Sequence, residues 1–400
     1  MYAFFKDDDF QFAVENVLGS AYSRAADIGE VLTTVDRIPN GSAQAWVEQW
    51  TATADRVAGE ARAAEAAGHV RTAAARWLRA SSYYSEASDK ADATGGFTEL
   101  WGRHRDAWDR FVDLTAVVGD VAVERIEIPY EDTTLPGYFF RRGPATEGRR
   151  TLIYTNGSDG SVVGAWTRGI ADALDRGWNA MTYDGPGQNA ALVRQGLFFR
   201  PDWEHVLTPV VDHLTKRPDV DPGRIAVMGI SQGGYWVPRA AAFEHRIAAA
   251  VADPGVVDVS TTMLRQLPHF LMKLLHAGDR EEFDTEMAWA LKVSPATRTM
   301  LRWRMRPYGV SSPFDFFTAV REYALTDEQL AAIACPMLIT DPEHEQFWPG
   351  QSARMAAALT CPVTLLPFTA AEGADSHCEP AAAGLRSERV FDWLDERVPA

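Results

Sequence analysis

Gly229-Ile230-Ser231-Gln232-Gly233 decides how this chain is read. The apolar run Ile225-Ala226-Val227-Met228 precedes it and the small-residue segment Arg239-Ala240-Ala241-Ala242 follows, so the pentapeptide stands where a buried strand turns into a helix. Glycines two places either side of a serine let the backbone turn sharply and let strand and helix approach closely. The serine is then strained, with its Oγ above a sheet. Ser231 is the candidate nucleophile.

Working outward, further buried-type runs occur at Leu152-Ile153-Tyr154, Ala180-Met181-Thr182-Tyr183, Ala248-Ala249-Ala250-Val251, Met337-Leu338-Ile339 and Val363-Thr364-Leu365-Leu366. Most are separated by helix-length segments, which implies crossover connections and a mainly parallel sheet. Val123-Glu124-Arg125-Ile126-Glu127-Ile128 alternates with period two and Gly137-Tyr138-Phe139-Phe140 follows, the pattern of an antiparallel hairpin. From about Ser42 to Leu114 the period is helical, with Trp46, Trp50, Ala54, Val57 and Ala61 in one stripe and Phe97, Trp101, Trp108 and Phe111 in another. Ser42 is the expected N-cap, the tryptophans are expected packing anchors, and Tyr83-Tyr84 are candidates to line a ligand cavity. The stretch from about Val256 to Ile333 reads as helices inserted after one strand, the natural material for a lid over the carboxyl edge of the sheet. The expected organisation is an α/β fold with an N-terminal all-helical cap over residues 1–120. A sheet domain over 121–400 follows, with its helical insertion at about 256–333.

A serine hydroxyl is a poor nucleophile at neutral pH, so Ser231 needs a base, and the base needs an acid to hold its tautomer. In this architecture the base comes last, and His377 is the histidine that follows the final expected strand, within Gly373-Ala374-Asp375-Ser376-His377-Cys378-Glu379-Pro380. The acid belongs after Met337-Leu338-Ile339-Thr340, where Asp341, Glu343, His344 and Glu345 crowd one loop. Glu345, four residues before Pro349, is the leading choice; Asp341 is the runner-up and Asp253 the third. An oxyanion hole needs two backbone N–H groups aimed at developing charge. Gln232, directly after the nucleophile, is one, and Ser158 in Asn156-Gly157-Ser158-Asp159-Gly160 is the other. Asp184-Gly185-Pro186-Gly187-Gln188 lacks the lysine and spacing of a phosphate loop and reads as a structural turn.

Composition narrows the partners. The chain has 400 residues, 46% of them hydrophobic, enough for a large core, and its net charge of -16 opposes attraction to nucleic acid or an anionic membrane. A small-molecule substrate fits better. The first residues lack a basic and apolar leader pattern and no apolar run is long enough to span a bilayer, so a cytoplasmic protein is expected. Cys335, Cys361 and Cys378 are an odd count with no C-x-x-C spacing and the histidines have no metal-ligand spacing, so neither a disulfide framework nor a metal site is expected. Cys378 next to His377 is a candidate thiol nucleophile, with a packing role as the simpler reading.

Tyr183-Asp184-Gly185-Pro186-Gly187-Gln188, Pro201-Asp202-Trp203-Glu204, the elbow with Gly234, and Gly373-Ala374-Asp375-Ser376-His377-Cys378 together resemble a group of α/β-hydrolases. The group includes 2,6-dihydroxypseudooxynicotine hydrolase and the fungal polyketide-shortening hydrolases of melanin synthesis. The resemblance implies an α/β-hydrolase fold, a helical cap, a serine nucleophile, no cofactor and a homodimer. It also implies hydrolysis of a carbon–carbon bond beside a ketone, or of an ester. Glu345 departs from the commoner aspartate. A carboxylesterase, a lactonase or an acyltransferase would use the same residues. An acyl-peptide hydrolase would bring propeller repeats, which are absent. A binding protein on a hydrolase scaffold would place no demand on the Ser, acid and His order.

Overall fold

The computed structural model describes residues 3–119, 121–144 and 147–400. The strands form one sheet: β1 (Ala122–Tyr130), β2 (Thr133–Arg141), β3 (Arg149–Thr155), β4 (Asn179–Tyr183), β5 (Val220–Ile230), β6 (Ala249–Asp253), β7 (Met337–Pro342) and β8 (Val363–Phe368). Their spatial order is β1-β2-β4-β3-β5-β6-β7-β8. The pairs β1–β2 and β2–β4 are antiparallel and every other pair is parallel.

Burial follows the sequence pattern. In β1 the inward residues Ile126, Ile128 and Tyr130 are buried between exposed neighbours, and Tyr130 pairs with Thr133 across a two-residue turn. Leu152, Ile153, Ala226, Val227, Met228, Ala250 and Val251 are wholly buried, as expected of parallel strands covered on both faces. β8 departs from expectation. Its run reads as buried, but it is the sheet edge, and Val363 and Leu365 are 39% and 38% exposed. Only its other face is covered, where Trp393 Nε1 donates to Thr364 Oγ1 at 3.0 Å. Hydrophobicity alone does not report how many faces are covered.

Ahead of the sheet lie α1 (Asp8–Gly19), α2 (Ile28–Val35), α3 (Ala43–Ala66), α4 (Val70–Asp89) and α5 (Phe97–Val118). Ser42 caps α3 through the Ala45 N–H, and Trp46, Trp50 and Trp108 are wholly buried packing anchors. Tyr83 and Tyr84 are buried and hydrogen-bonded within the helical layer. Their hydroxyls donate to Glu30 at 2.7 Å and Asp55 at 2.6 Å and tie the helices to each other. α1 and α2 precede the Ser42 boundary at which the helical pattern was read; Asp7 and Asp27 cap them. The helical layer is fixed to the sheet by a buried ion pair of 2.9 Å between Arg105 of α5 and Asp184, just past β4.

Between β6 and β7 the chain forms the helices His269–Ala277, Arg280–Val293, Pro295–Met305, Pro313–Ala319 and Asp327–Ala332, among shorter turns. They carry a core of their own, with Leu271, Leu275, Phe283, Phe316 and Phe317 buried together. Arg306 at their edge pairs with Asp92 at 2.9 Å, and Arg304 lies 3.8 Å from Asp159, in the loop after β3. The inserted helices therefore stand over the carboxyl ends of the strands. Among the described residues no helix is long and apolar enough to cross a membrane.

Candidate active site

The elbow forms because three strand ends meet. Ser231 has φ of 56°, and its N–H donates to the Asp253 carbonyl at the end of β6 at 2.6 Å. A Cβ on Gly233 would sit 2.8 Å from the Thr155 carbonyl of β3, and one on Gly229 would overlap the Gly233 carbonyl. Only glycine lets β5 and the helix Gly233–Ala241 approach this closely, and that approach raises Ser231 above the sheet.

His377 arrives from the loop after β8. Its Nε2 lies 2.8 Å from Ser231 Oγ and its Nδ1 2.8 Å from Glu345 Oε2. Both His377 and Glu345 are buried, at 4% and 8% exposure. The other oxygen of Glu345, Oε1, accepts from the N–H groups of Phe347 at 2.8 Å and Trp348 at 3.0 Å. Burial pushes this carboxyl up. The interaction with His377, through its field and hydrogen bond, together with the two amides outweighs burial and holds it below the ordinary carboxylate range. An ionised Glu345 that accepts from Nδ1–H leaves Nε2 as the free base facing Ser231.

The other acid candidates lie elsewhere. Asp341 is the penultimate residue of β7 and makes no hydrogen bond to His377 among the described residues; burial and the Glu345 charge raise its carboxyl. Asp253 lies beneath the elbow, wholly buried, where Oδ1 accepts from Thr340 Oγ1 at 2.8 Å and Oδ2 faces Arg386 at 3.4 Å. Cys378 is buried with Sγ 3.3 Å from the Asp253 carbonyl, and burial pushes its thiol well up, so it remains a protonated packing group.

Neither the Gln232 nor the Ser158 backbone N–H has an acceptor among the described residues. Gly157 brings the second of these loops against the nucleophile, since a Cβ there would be 2.8 Å from Ser231 Cβ. What holds that loop was not read from the sequence. Gln188 Nε2 donates to the carbonyls of Asn156 at 2.8 Å and Gly157 at 3.0 Å, while its Oε1 accepts from Gly185 N–H at 2.9 Å. The Asp184–Gln188 turn is structural, as expected, and the structure it supports is this loop.

Two further contacts escaped the sequence. Phe12 of α1 stands 6.2 Å from the His377 ring, with Phe347 at 4.8 Å and Trp348 at 5.6 Å, so three aromatic rings flank the imidazole. Glu379, two residues past His377, is buried at 1% exposure. Nothing local marked Phe12; for Glu379 the one available signal was a carboxylate between a buried-type cysteine and Pro380.

Comparison with known proteins agrees with this architecture. The model of the prolyl oligopeptidase family matches residues 207–307, a span that holds the elbow but neither Glu345 nor His377. Hydrolase LUC6 of Fusarium sp is 31% identical, over 99% of this chain and 98% of that protein. Hydrolase acrC of Aspergillus aculeatus is 30% identical over the same shares. The 20-hydroxy-prefusarin hydrolase FUS2 of Gibberella moniliformis is 28% identical, also over 99% and 98%. Among solved structures, 2,6-dihydroxy-pseudo-oxynicotine hydrolase superposes with a TM-score of 0.72 at 20% identity, covering 95% of each chain. Wild-type AbyA5 superposes at 0.61, covering 98% of each, and both share the fold. The chain is a hydrolase of the α/β-hydrolase fold and belongs to the family that includes LUC6 and acrC.

Proposed function

We propose that this hydrolase acts through Ser231 as nucleophile, His377 as general base and acid, and Glu345 as the group that orients His377, on an apolar ketone or ester. The observation that carries this reading is the unbroken chain of 2.8 Å contacts from Ser231 Oγ through the imidazole to Glu345 Oε2. Ser231 Oγ attacks the substrate carbonyl while Nε2 takes its proton, and the oxyanion is received by the N–H groups of Gln232 and Ser158. Collapse of the tetrahedral intermediate expels the leaving group, which takes the proton from Nε2–H. Water, activated by the same nitrogen, then releases the acyl group from Ser231.

For carbon–carbon cleavage, the bond that breaks joins the attacked carbonyl to the α-carbon of a second carbonyl. Its electron pair departs as an enolate, and His377 delivers the proton to carbon. The aromatic flank of Phe12, Phe347 and Trp348 supports an apolar substrate. Relatives named for 20-hydroxy-prefusarin and 2,6-dihydroxy-pseudo-oxynicotine support a small organic one. In this reading residues 1–120 serve as the cap and the helices within 256–333 as the lid.

The test is intact-protein mass spectrometry after incubation with a fluorophosphonate. One adduct is expected on the native chain, none on Ser231→Ala, and a slowed reaction on His377→Ala. Turnover of Ser231→Ala should fall at least ~10³-fold, and full turnover would refute the serine mechanism. A panel of β-diketones and esters then assigns the bond: cleavage of esters alone removes the carbon–carbon reading.

A further inference from the structure

Glu379 is almost wholly buried, and neither of its carboxyl oxygens has a hydrogen-bond donor among the described residues. It stands in a strained place. Cys378 and Glu379 have φ of 60° and 45°, so two consecutive side-chain-bearing residues after His377 are left-handed. Such a conformation persists only where the surroundings over-determine it.

The surroundings are acidic. The group that faces Glu379 is the carboxyl of Asp253, itself wholly buried. Asp253 Oδ1 is occupied by the Thr340 hydroxyl, and Oδ2 lies 3.4 Å from Arg386 Nη1. Arg386 is paired with Asp253, and its Nη2 is taken by the Arg168 carbonyl; no ion pair reaches Glu379 among the described residues, and Arg386 acts on it only through its charge. Two buried carboxyls thus meet with one guanidinium beside them, and that guanidinium is paired with Asp253. Two carboxylates are both acceptors, and they form a hydrogen bond only when one carries a proton.

We infer that Glu379 is a neutral carboxylic acid in the folded protein, that it donates its proton to Asp253, and that this bond braces the His377 loop against the elbow. The Asp253 carbonyl is the acceptor for Ser231 N–H, so the same residue holds the nucleophile and the loop of its base. Glu379 is a positioning residue, acting through His377. Its protonation stands on its own, whereas its effect on rate rests on the reading that Ser231 and His377 carry the activity.

The charge environment is consistent with this state. Burial is the larger influence and Asp253 the next, both raising the Glu379 carboxyl, while Arg386 lowers it. Glu345 from the loop after β7 adds a further raising charge, Cys378 is adjacent, and Arg168 and Tyr154 lie behind Arg386. The small cavity beside Glu379 is lined on the side of α1 by the uncharged Asn16, Gly19 and Ser20, and its charged lining besides Glu379 is Arg168 and Arg386. Alkali would ionise Glu379, set two carboxylates against one arginine, and drive the His377 loop off the elbow.

Glu379→Gln tests this, because its amide keeps a donor toward Asp253 and cannot ionise. The native-minus-Glu379→Gln infrared difference spectrum at neutral pH should show the carbonyl stretch of a protonated carboxylic acid; Glu86, whose carboxyl burial pushes up to about 8, contributes its own band to both proteins and cancels. Fluorophosphonate labelling of Glu379→Gln should stay within about threefold of native at neutral pH. It should also keep its rate at alkaline pH, where the native rate falls at least about tenfold. Glu379→Leu, without a donor, should label at least about tenfold more slowly even where circular dichroism shows it folded. The inference is overturned if the difference spectrum lacks that band, or if both proteins lose labelling over the same alkaline range. A native chain that takes no label at all refutes the Ser231 reading instead, and the infrared band still decides the proton.

Discussion

Glu345→Gln isolates the acid, because the two oxygens of Glu345 face different demands. Oε1 accepts from two amides, at 2.8 and 3.0 Å, and Oε2 accepts from His377 Nδ1 at 2.8 Å. A glutamine offers one acceptor and one NH₂. If the NH₂ turned toward Phe347 and Trp348, donors would face donors, and two buried amides would be stranded at about 1–3 kcal/mol each. The amide oxygen therefore stays with the backbone and the NH₂ faces Nδ1. That nitrogen must then accept, so the imidazole proton moves to Nε2 and points at Ser231 Oγ. A ring that presents a donor to the hydroxyl cannot take its proton. The expected loss is on the order of 10⁴ in turnover, with the fold intact. The assay is the rate of fluorophosphonate adduct formation by intact mass, alongside thermal unfolding. Asp341→Asn is the internal control. The side-chain hydrogen-bond partners of the His377 ring among the described residues are Glu345 and Ser231, not Asp341, so this variant should label within about threefold of native. A native rate for Glu345→Gln with a slowed Asp341→Asn would transfer the role to Asp341 and refute this reasoning.

Three more perturbations probe the supports of the site. A side chain at Gly19, the last residue of α1, would overlap the Pro380 carbonyl three residues past His377. Gly19→Val should therefore push α1 off that loop and slow labelling by about tenfold or more at unchanged helix content; native labelling would show that α1 does not position the loop. Gln188→Leu strands the carbonyls of Asn156 and Gly157 and the N–H of Gly185, so thermal unfolding should report a loss of about 1–3 kcal/mol for each buried group. The accompanying kinetic loss should fall on kcat more than KM, because the loop carries Ser158; a pure KM effect would contradict that. The third concerns pH. Because the folded state raises the Glu379 carboxyl, the stability from its neutral form is complete below the ordinary carboxylate pKa and is lost as pH rises through the folded value. The native melting temperature should thus fall relative to Glu379→Gln as pH is taken from acid through neutral, and parallel pH curves would exclude a buried titrating acid.

What could be read in advance divides by the range of the interaction that fixes it. The turn at Gly229–Gly233, the alternation in β1 and the continuous apolar runs of β3 to β7 are legible because each requirement is met by residues adjacent in sequence. The choice among the carboxylates of residues 341–349 is harder. Glu345 differs from Asp341 in accepting from the amides of Phe347 and Trp348, a feature of the folded turn and not of residue type. α1 left no usable mark because its apolar stripe of Phe10, Ala13, Val14 and Val17 is short and opens on acidic residues. Its partner is a loop at the opposite end of the chain. Glu379 is the extreme case. Next to His377 it reads as one more loop carboxylate, charged and solvated, and every local rule agrees. Its charge state depends on Asp253, at the end of β6, and on Arg386, on the helix after the loop, and the sheet order is what brings all three beneath the elbow. A local pattern can therefore nominate a nucleophile and a base, but whether a neighbouring acid holds its proton is decided by the topology that buries it.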